Sequence, residues 1–271
     1  MTKKVQIPHD LEKVLDIAWD AAKNVPGFLA EDEARFLGLL AACTPGEGNI
    51  VEIGSFKGRS TVMLSKVARH YGKGNVVAID PHNFNNAELH EHRLTAESTS
   101  FLEFQENLRG AGVYDCVDIR LSYSHDVALQ WNKPIRLLWI DGDHSYTGAK
   151  TDYDDFSPFV VENGVIALHD ALREFSGPIR VFVEDMLRSS KFGGSGFIHS
   201  IAWSQFCPDR GTRYEKQRMQ VERVAKKLIP FLKDEKPLHG FRKIQYKLYR
   251  SRVPRKSISP ELWADLVNCN A

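Results

Sequence analysis

Apolar positions along this chain follow a helical rhythm at first and then short, wholly apolar runs. Leu11, Val14, Leu15, Ala18 and Trp19 share one helical face after Asp10, which predicts a helix over 10–24. Pro26-Gly27 interrupts it, and 31–42 repeats the amphipathic pattern before the loop T-P-G-E-G at 44–48. Beyond that loop, apolar runs at 49–54, 76–80, 116–121, 135–140 and 164–168 read as buried strands. Helical stretches at 59–71, 101–109, 124–131 and 147–156 separate them. Strands that are apolar on both faces and spaced by helices predict an α/β fold: a Rossmann-like, doubly wound, mostly parallel sheet with helices on both faces. Further on, 178–189 reads as helix, and F-I-H-S-I-A-W-S-Q-F at 197–206 alternates like one late antiparallel edge strand. Val221, Val224, Ala225, Leu228, Ile229 and Leu232 then form a single helical stripe, with further helices expected at 241–250 and 261–267. No internal repeat is present.

Composition narrows the class. A net charge of +1 over 271 residues describes an ordinary globular chain, long enough to fold without a disulfide or metal staple. No stretch approaches a membrane span, and M-T-K-K-V-Q-I-P-H-D lacks the apolar segment of a cleaved signal. Cys43, Cys116, Cys207 and Cys269 are far apart, with no C-x-x-C pair, which fits a reducing cytoplasm and excludes short-spaced zinc sites. The near-zero charge hides an asymmetry: residues 211–271 carry +9 and residues 1–210 carry −8. We therefore expect three regions: N-terminal helices (1–48) capping a ligand site, a core (49–210), and a basic helical extension (211–271).

In parallel sheets ligands bind just beyond the carboxyl ends of the strands. Glu52, Asp80, Asp141, His169 and Asp170 all fall at such ends. The first turn, E-I-G-S-F-K-G-R-S over 52–60, has Phe56 where a dinucleotide fingerprint needs its second glycine. A P-loop lysine pattern is missing too. The ligand this turn suits is a nucleoside without a phosphate bridge, its ribose hydroxyls accepted by Asp80.

V-E-I-G-S-F-K-G-R-S-T (51–61), the strand ending in Asp80, I-D-G-D-H-S-Y (140–146) and G-V-I-A-L-H-D (164–170) together resemble class I S-adenosylmethionine-dependent methyltransferases. The likeness is greatest to the branch of sugar and small-molecule O-methyltransferases, several of them metal-dependent, and spans residues 26–206. It implies S-adenosyl-L-methionine as cofactor, held by Glu52 near the methionine amino group and by Gly54, Ser55, Phe56, Gly58 and Ser60 in the first turn. Asp80 would hold the ribose, His82 would touch the ligand beside it, and Ser122 and Ser124 would lie near the adenine. Phe28 and Leu29 would cover the cofactor from the N-terminal side.

On that resemblance, the acids and histidines after strands four and five would carry the reaction. Converging carboxylates repel unless a cation or a shared proton neutralises them. The resemblance implies a divalent metal (Mg2+ or Mn2+) on Asp141, His169 and Asp170, although His169 replaces the usual acid or amide, and a histidine favours Mn2+, Fe or Zn2+ over Mg2+. Without metal, Asp141 would contact the cofactor instead. His144, three residues after Asp141, is the candidate general base for a hydroxyl proton, with helix packing as its plainer role. Asp143 reads as a helix cap. Residues 82–100, with His82, His90 and His92, read as a polar insertion over the site mouth. The acceptor expected is a hydroxyl of a sugar or other small molecule, and a homo-oligomer stays open. The rivals are a nucleic-acid or protein methyltransferase using the basic tail, a NAD-dependent dehydrogenase, and a noncatalytic cofactor-binding protein. The tetrapeptides N-P-P-Y and D-P-P-Y, which grip an exocyclic amine, are absent, so nucleic acid is disfavoured.

Overall fold

A computed structural model of the protein describes residues 4–83, 99–233 and 236–268. Seven strands form one sheet: β1 (Asn49–Ile53), β2 (Val76–Ile79), β3 (Val117–Arg120), β4 (Ile135–Ile140), β5 (Val160–Leu168), β6 (Phe192–Ile198) and β7 (Ile201–Phe206). Their order is β3-β2-β1-β4-β5-β7-β6. The pairs among β1 to β5 are parallel, while β7 runs antiparallel to both β5 and β6. The predicted Rossmann-like sheet is therefore the one that forms. The single edge strand expected at 197–206 is instead a hairpin, with β7 inside the sheet and β6 at its edge. His199, at a φ of +49°, makes the turn. Alternation continues unbroken across that turn, and Gly193, Gly194 and Gly196 offer no side chains to reveal the outer strand.

Successive strand residues point to opposite faces. Leu137, Trp139, Val165 and Ala167 pack on one face, under α1 (Leu11–Ala22), α2 (Glu31–Cys43), α3 (Arg59–Tyr71) and α4 (Thr99–Gly110). Leu138, Ile140, Ile166 and Leu168 pack on the other, under α5 (Ser124–Ala128), α6 (Tyr146–Phe156) and α7 (Gly177–Arg180), which widens into a π-helical turn over Val181–Leu187. On this second face also lie α8 (Glu215–Ala225), α9 (Ile229–Leu232) and α10 (Gly240–Arg250), whereas α11 (Pro260–Asn268) returns to the first. There Trp263 is fully buried against Trp203, ring centres 6.1 Å apart.

The stripe expected as one helix over 221–232 is split between α8 and α9. Pro230 cannot donate a backbone bond, and its ring would meet the carbonyl four residues back. The chain tightens accordingly, with Leu228 N donating to Ala225 O and Ile229 N to Lys226 O. The basic stretch is tied to the body by a buried Arg218, which donates to the carbonyls of Leu187, Phe192 and Gly211. No helix among the described residues is long and apolar enough to cross a membrane.

The strand register fixes the functional edge. Ile53 pairs with both Ile79 and Ile140, and Ile140 pairs with Leu168. The residues that follow, Gly54, Asp80, Asp141 and His169, thus emerge side by side. Between β1 and β4 the direction of strand succession reverses, and such switch points open a crevice.

Candidate active site

The turn after β1 is built on tight backbone contact. Gly54 sits at a φ of +85° and donates to Ile79 O at 2.9 Å. A Cβ here would lie 2.3 Å from the carbonyl oxygen of Asp141. Gly54→Ala therefore meets both a left-handed backbone and an immovable neighbour, and is expected to cost about 2 kcal/mol or more. Thermal unfolding of the variant checks this. Both neighbouring amides bind one acid: Ser55 N and Phe56 N donate to Asp80 Oδ2 at 2.8 and 2.7 Å, and His82 N donates to Asp80 Oδ1 at 2.6 Å. Asp80 thus holds the turn in shape and itself lines the cleft.

Above the turn, Arg59 at the start of α3 donates to Val25 O at 2.7 Å and Leu29 O at 2.9 Å. These bonds draw the 23–29 link over the crevice, and Phe28 stacks on Phe56 with ring centres 5.9 Å apart. Below it, Glu52 is fully buried and accepts from Ser55 Oγ at 3.0 Å and Thr61 Oγ1 at 2.5 Å. Burial outweighs these hydroxyls and pushes its carboxyl up to about 7.

A cleft of about 860 Å³ runs along the strand ends. Its walls include Gly54, Ser55, Phe56, Ser60, Asp80 and Ser124 at one end, and Asp141, His144, His169 and Asp170 at the other, with Phe28 and Leu29 as cover. Glu52, Gly58, His82 and Ser122 are not among its lining residues. His82 is turned away: its ring packs between Phe101 and Phe104, and burial lowers its pKa. Gly58, at a φ of +94°, supports the loop from behind against Phe104. His90 and His92 lie outside the described residues.

Two carboxylates of this region went unmarked in the sequence. Asp152 on α6 lines the cleft, accepts from Ser124 Oγ at 2.5 Å, and is pushed by burial up to about 6. Its place one turn and a half into α6 gave no hint of this. The other is Glu33 in the first turn of α2. Its Oε1 accepts from Ser200 N at 3.0 Å and Ser200 Oγ at 2.5 Å, and Oε2 lies 3.5 Å from His169 Nε2.

His169 therefore stands between two acids, with Nδ1 3.0 Å from Asp141 Oδ1 and Nε2 facing Glu33. Burial alone would discharge the ring, but the carboxylates win and raise its pKa well above the ordinary value. Reciprocally, His169 and the Ser200 hydroxyl overcome burial and bring Glu33 down to about 2. His144 Nε2 lies 3.4 Å from Asp141 Oδ1 and 3.7 Å from Asp170 Oδ2, and its ring packs on Phe175 at 4.7 Å. Burial pulls this imidazole down, yet Asp141 and Asp170 hold its pKa above the usual 6.5. The cap of α6 is Ser145, whose Oγ accepts from Gly148 N at 3.0 Å, rather than the expected Asp143, which instead accepts from Ser145 N at 2.8 Å just before the helix.

Ligand atoms of Asp141, His144 and His169 lie within 4.8 Å of one another. His144 Nε2 is buried without a hydrogen-bond partner among the described residues. This mixed nitrogen and oxygen set has His144 where the sequence led us to expect Asp170, and its donor atoms fit a divalent ion of the manganese, iron or zinc type. The fit requires His169 to exchange its Asp141 contact for the ion.

A family profile described as "Methyltransferase domain" matches residues 51–171, which runs from β1 through the acid–histidine pair after β5. Among solved structures, a cofactor-bound protein from MTB superposes with a TM-score of 0.51 at 18% identity, covering 74% of this chain and 91% of that one. The O-methyltransferase TomG from Streptomyces achromogenes, involved in tomaymycin synthesis and solved in complex with SAM, superposes with a TM-score of 0.51 at 15% identity, covering 75% and 92%. At these identities the structures establish a shared fold. The profile match covers the cleft-forming strands β1 to β5, so residues 51–171 are similar to a methyltransferase domain, and the sheet has the fold of the cofactor-bound structures it superposes on.

Proposed function

We propose that this protein methylates a hydroxyl group of a small molecule or sugar, with S-adenosylmethionine as donor and His144 as general base. The observation that carries the reading is that one cleft holds both halves of the task. The glycine turn and Asp80 line one end, and Asp141, His144, His169 and Asp170 line the other. The sulfonium donor supplies an electrophilic methyl group.

The chain's own residues do the rest. The turn held by Asp80 presents backbone rather than side chains to the nucleoside. Phe28 and Phe56 cover it with apolar surface and exclude water. His144 Nε2 takes the acceptor's hydroxyl proton, and the neighbouring Asp141 and Asp170 stabilise the imidazolium that forms. Asp141 and His169 would hold a divalent ion, leaving His144 Nε2 for the proton, and the ion would supply Lewis acidity toward an acceptor oxygen. In-line alignment in such a cleft accounts for much of the acceleration.

Calorimetry of the protein with S-adenosylmethionine and with NAD, each with and without EDTA, tests the reading. Saturable heat is expected with the sulfonium compound and none with NAD. The absence of heat with the former would overturn the proposal, and a change on chelation would assign the ion.

A further inference from the structure

The helix α10 carries two apolar faces, and only one of them is used. Tyr246 is fully buried and donates to the carbonyl of Arg173. On the opposite side Phe241, Ile244 and Leu248 are 72, 64 and 53% exposed. Spacings of three and four residues place them in one stripe along the helix. Residues 240–256 hold seven Lys/Arg and no Asp/Glu, so the stripe is set in a uniformly cationic segment. Exposed apolar stripes bordered by basic residues are the physical signature of helices that lie in the headgroup layer of anionic membranes.

The position of α10 ties this surface to the cleft. Arg250 donates to Leu172 O at 3.3 Å, and Lys243 Nζ lies 3.2 Å from Glu174 Oε1. Together with Tyr246 these contacts hold the segment that follows Asp170. That segment ends in Phe175, itself 43% exposed, which packs on His144. We propose that α10 lays its Phe241–Ile244–Leu248 stripe on an anionic lipid bilayer, while its Tyr246 face keeps hold of the segment that leads to the cleft. Bilayer binding is independent of the methyl-transfer reading, since no donor or acceptor takes part in it.

Flotation of the full chain with phosphatidylcholine vesicles, with or without phosphatidylglycerol, reads this directly. The chain is expected to float with the anionic vesicles at low salt, to remain in solution with phosphatidylcholine alone, and to be released as salt is added. Combined Phe241→Ala, Ile244→Ala and Leu248→Ala is expected to weaken vesicle binding at least about tenfold. A second variant, Lys247→Glu with Arg252→Glu, alters only exposed charges and is expected to do the same. Both should melt with the wild type. Failure to float with anionic vesicles would overturn the proposal, as would undiminished flotation of both variants. Sedimentation velocity supplies a third arm. A dimer that the alanine variant converts to monomer, with no vesicle binding by either protein, would assign the stripe to a second copy of the chain and overturn the lipid assignment.

Discussion

His144→Ala is expected to slow methyl transfer by about 10²- to 10⁴-fold while leaving the heat of S-adenosylmethionine binding unchanged. The loss follows from geometry: His144 lines the cleft with its Nε2 3.4 Å from Asp141 and 3.7 Å from Asp170, which stabilise its protonated form, whereas His169 is already held between Glu33 and Asp141. The same residue sets a pH signature. A general base works as neutral imidazole, and its acidic neighbours hold His144 above 6.5. Transfer by the wild type should therefore rise with pH through a midpoint above 6.5, and that limb should vanish in the alanine variant. Single-turnover rates across pH decide the matter. A variant that retains the limb would remove His144 from the base role.

Replacing Glu33 has the largest expected effect on stability. Removing one member of a buried ion pair leaves the other charge uncompensated, at a cost of about 3–5 kcal/mol. Glu33→Gln should approach this value, because His169 would keep only Asp141 and the more distant Asp170. The pH dependence follows from linkage. Glu33 has its folded pKa lowered from 4.5 to about 2, so its contribution is complete above 4.5 and is lost as pH falls toward 2. His169 is shifted the other way, so its contribution is complete below 6.5 and fades as pH rises through its elevated value. The wild type should be most stable between about 4.5 and 6.5 as far as this pair is concerned. Denaturant unfolding of Glu33→Gln should show a flatter acid limb and a smaller alkaline loss that is complete at lower pH. Identical profiles for the two proteins would exclude the pairing.

The strand ends were readable because period and chemistry coincide there. The buried runs of β2, β4 and β5 each stop at a polar residue (Asp80, Asp141 and His169), and parallel pairing brings those stops into line without further information. Glu33 could not be found the same way. It stands beside Glu31 and Asp32 in the first turn of α2, where acids are favoured by the helix dipole regardless of function. Only the tertiary approach of Ser200 and His169 distinguishes it. His82 shows the converse: adjacency to Asp80 brought it forward, but a φ of +50° turns its ring into the Phe101–Phe104 wall. The hairpin of β6 and β7 was hidden by glycines, and the break between α8 and α9 hinged on Pro230. Both are cases where one backbone property outweighs the pattern of side chains.

The bonds from Ser200 to Glu33 join residues 167 positions apart. During synthesis the first five strands can leave the ribosome and pair while the acid beneath His169 still lacks its hydroxyl partner. The reactive cluster therefore matures late, after the hairpin has emerged. Nascent chains arrested before residue 190 should have a sheet yet lack the Ser200 support beneath His169, so that this end of the cleft is completed only after the hairpin is made.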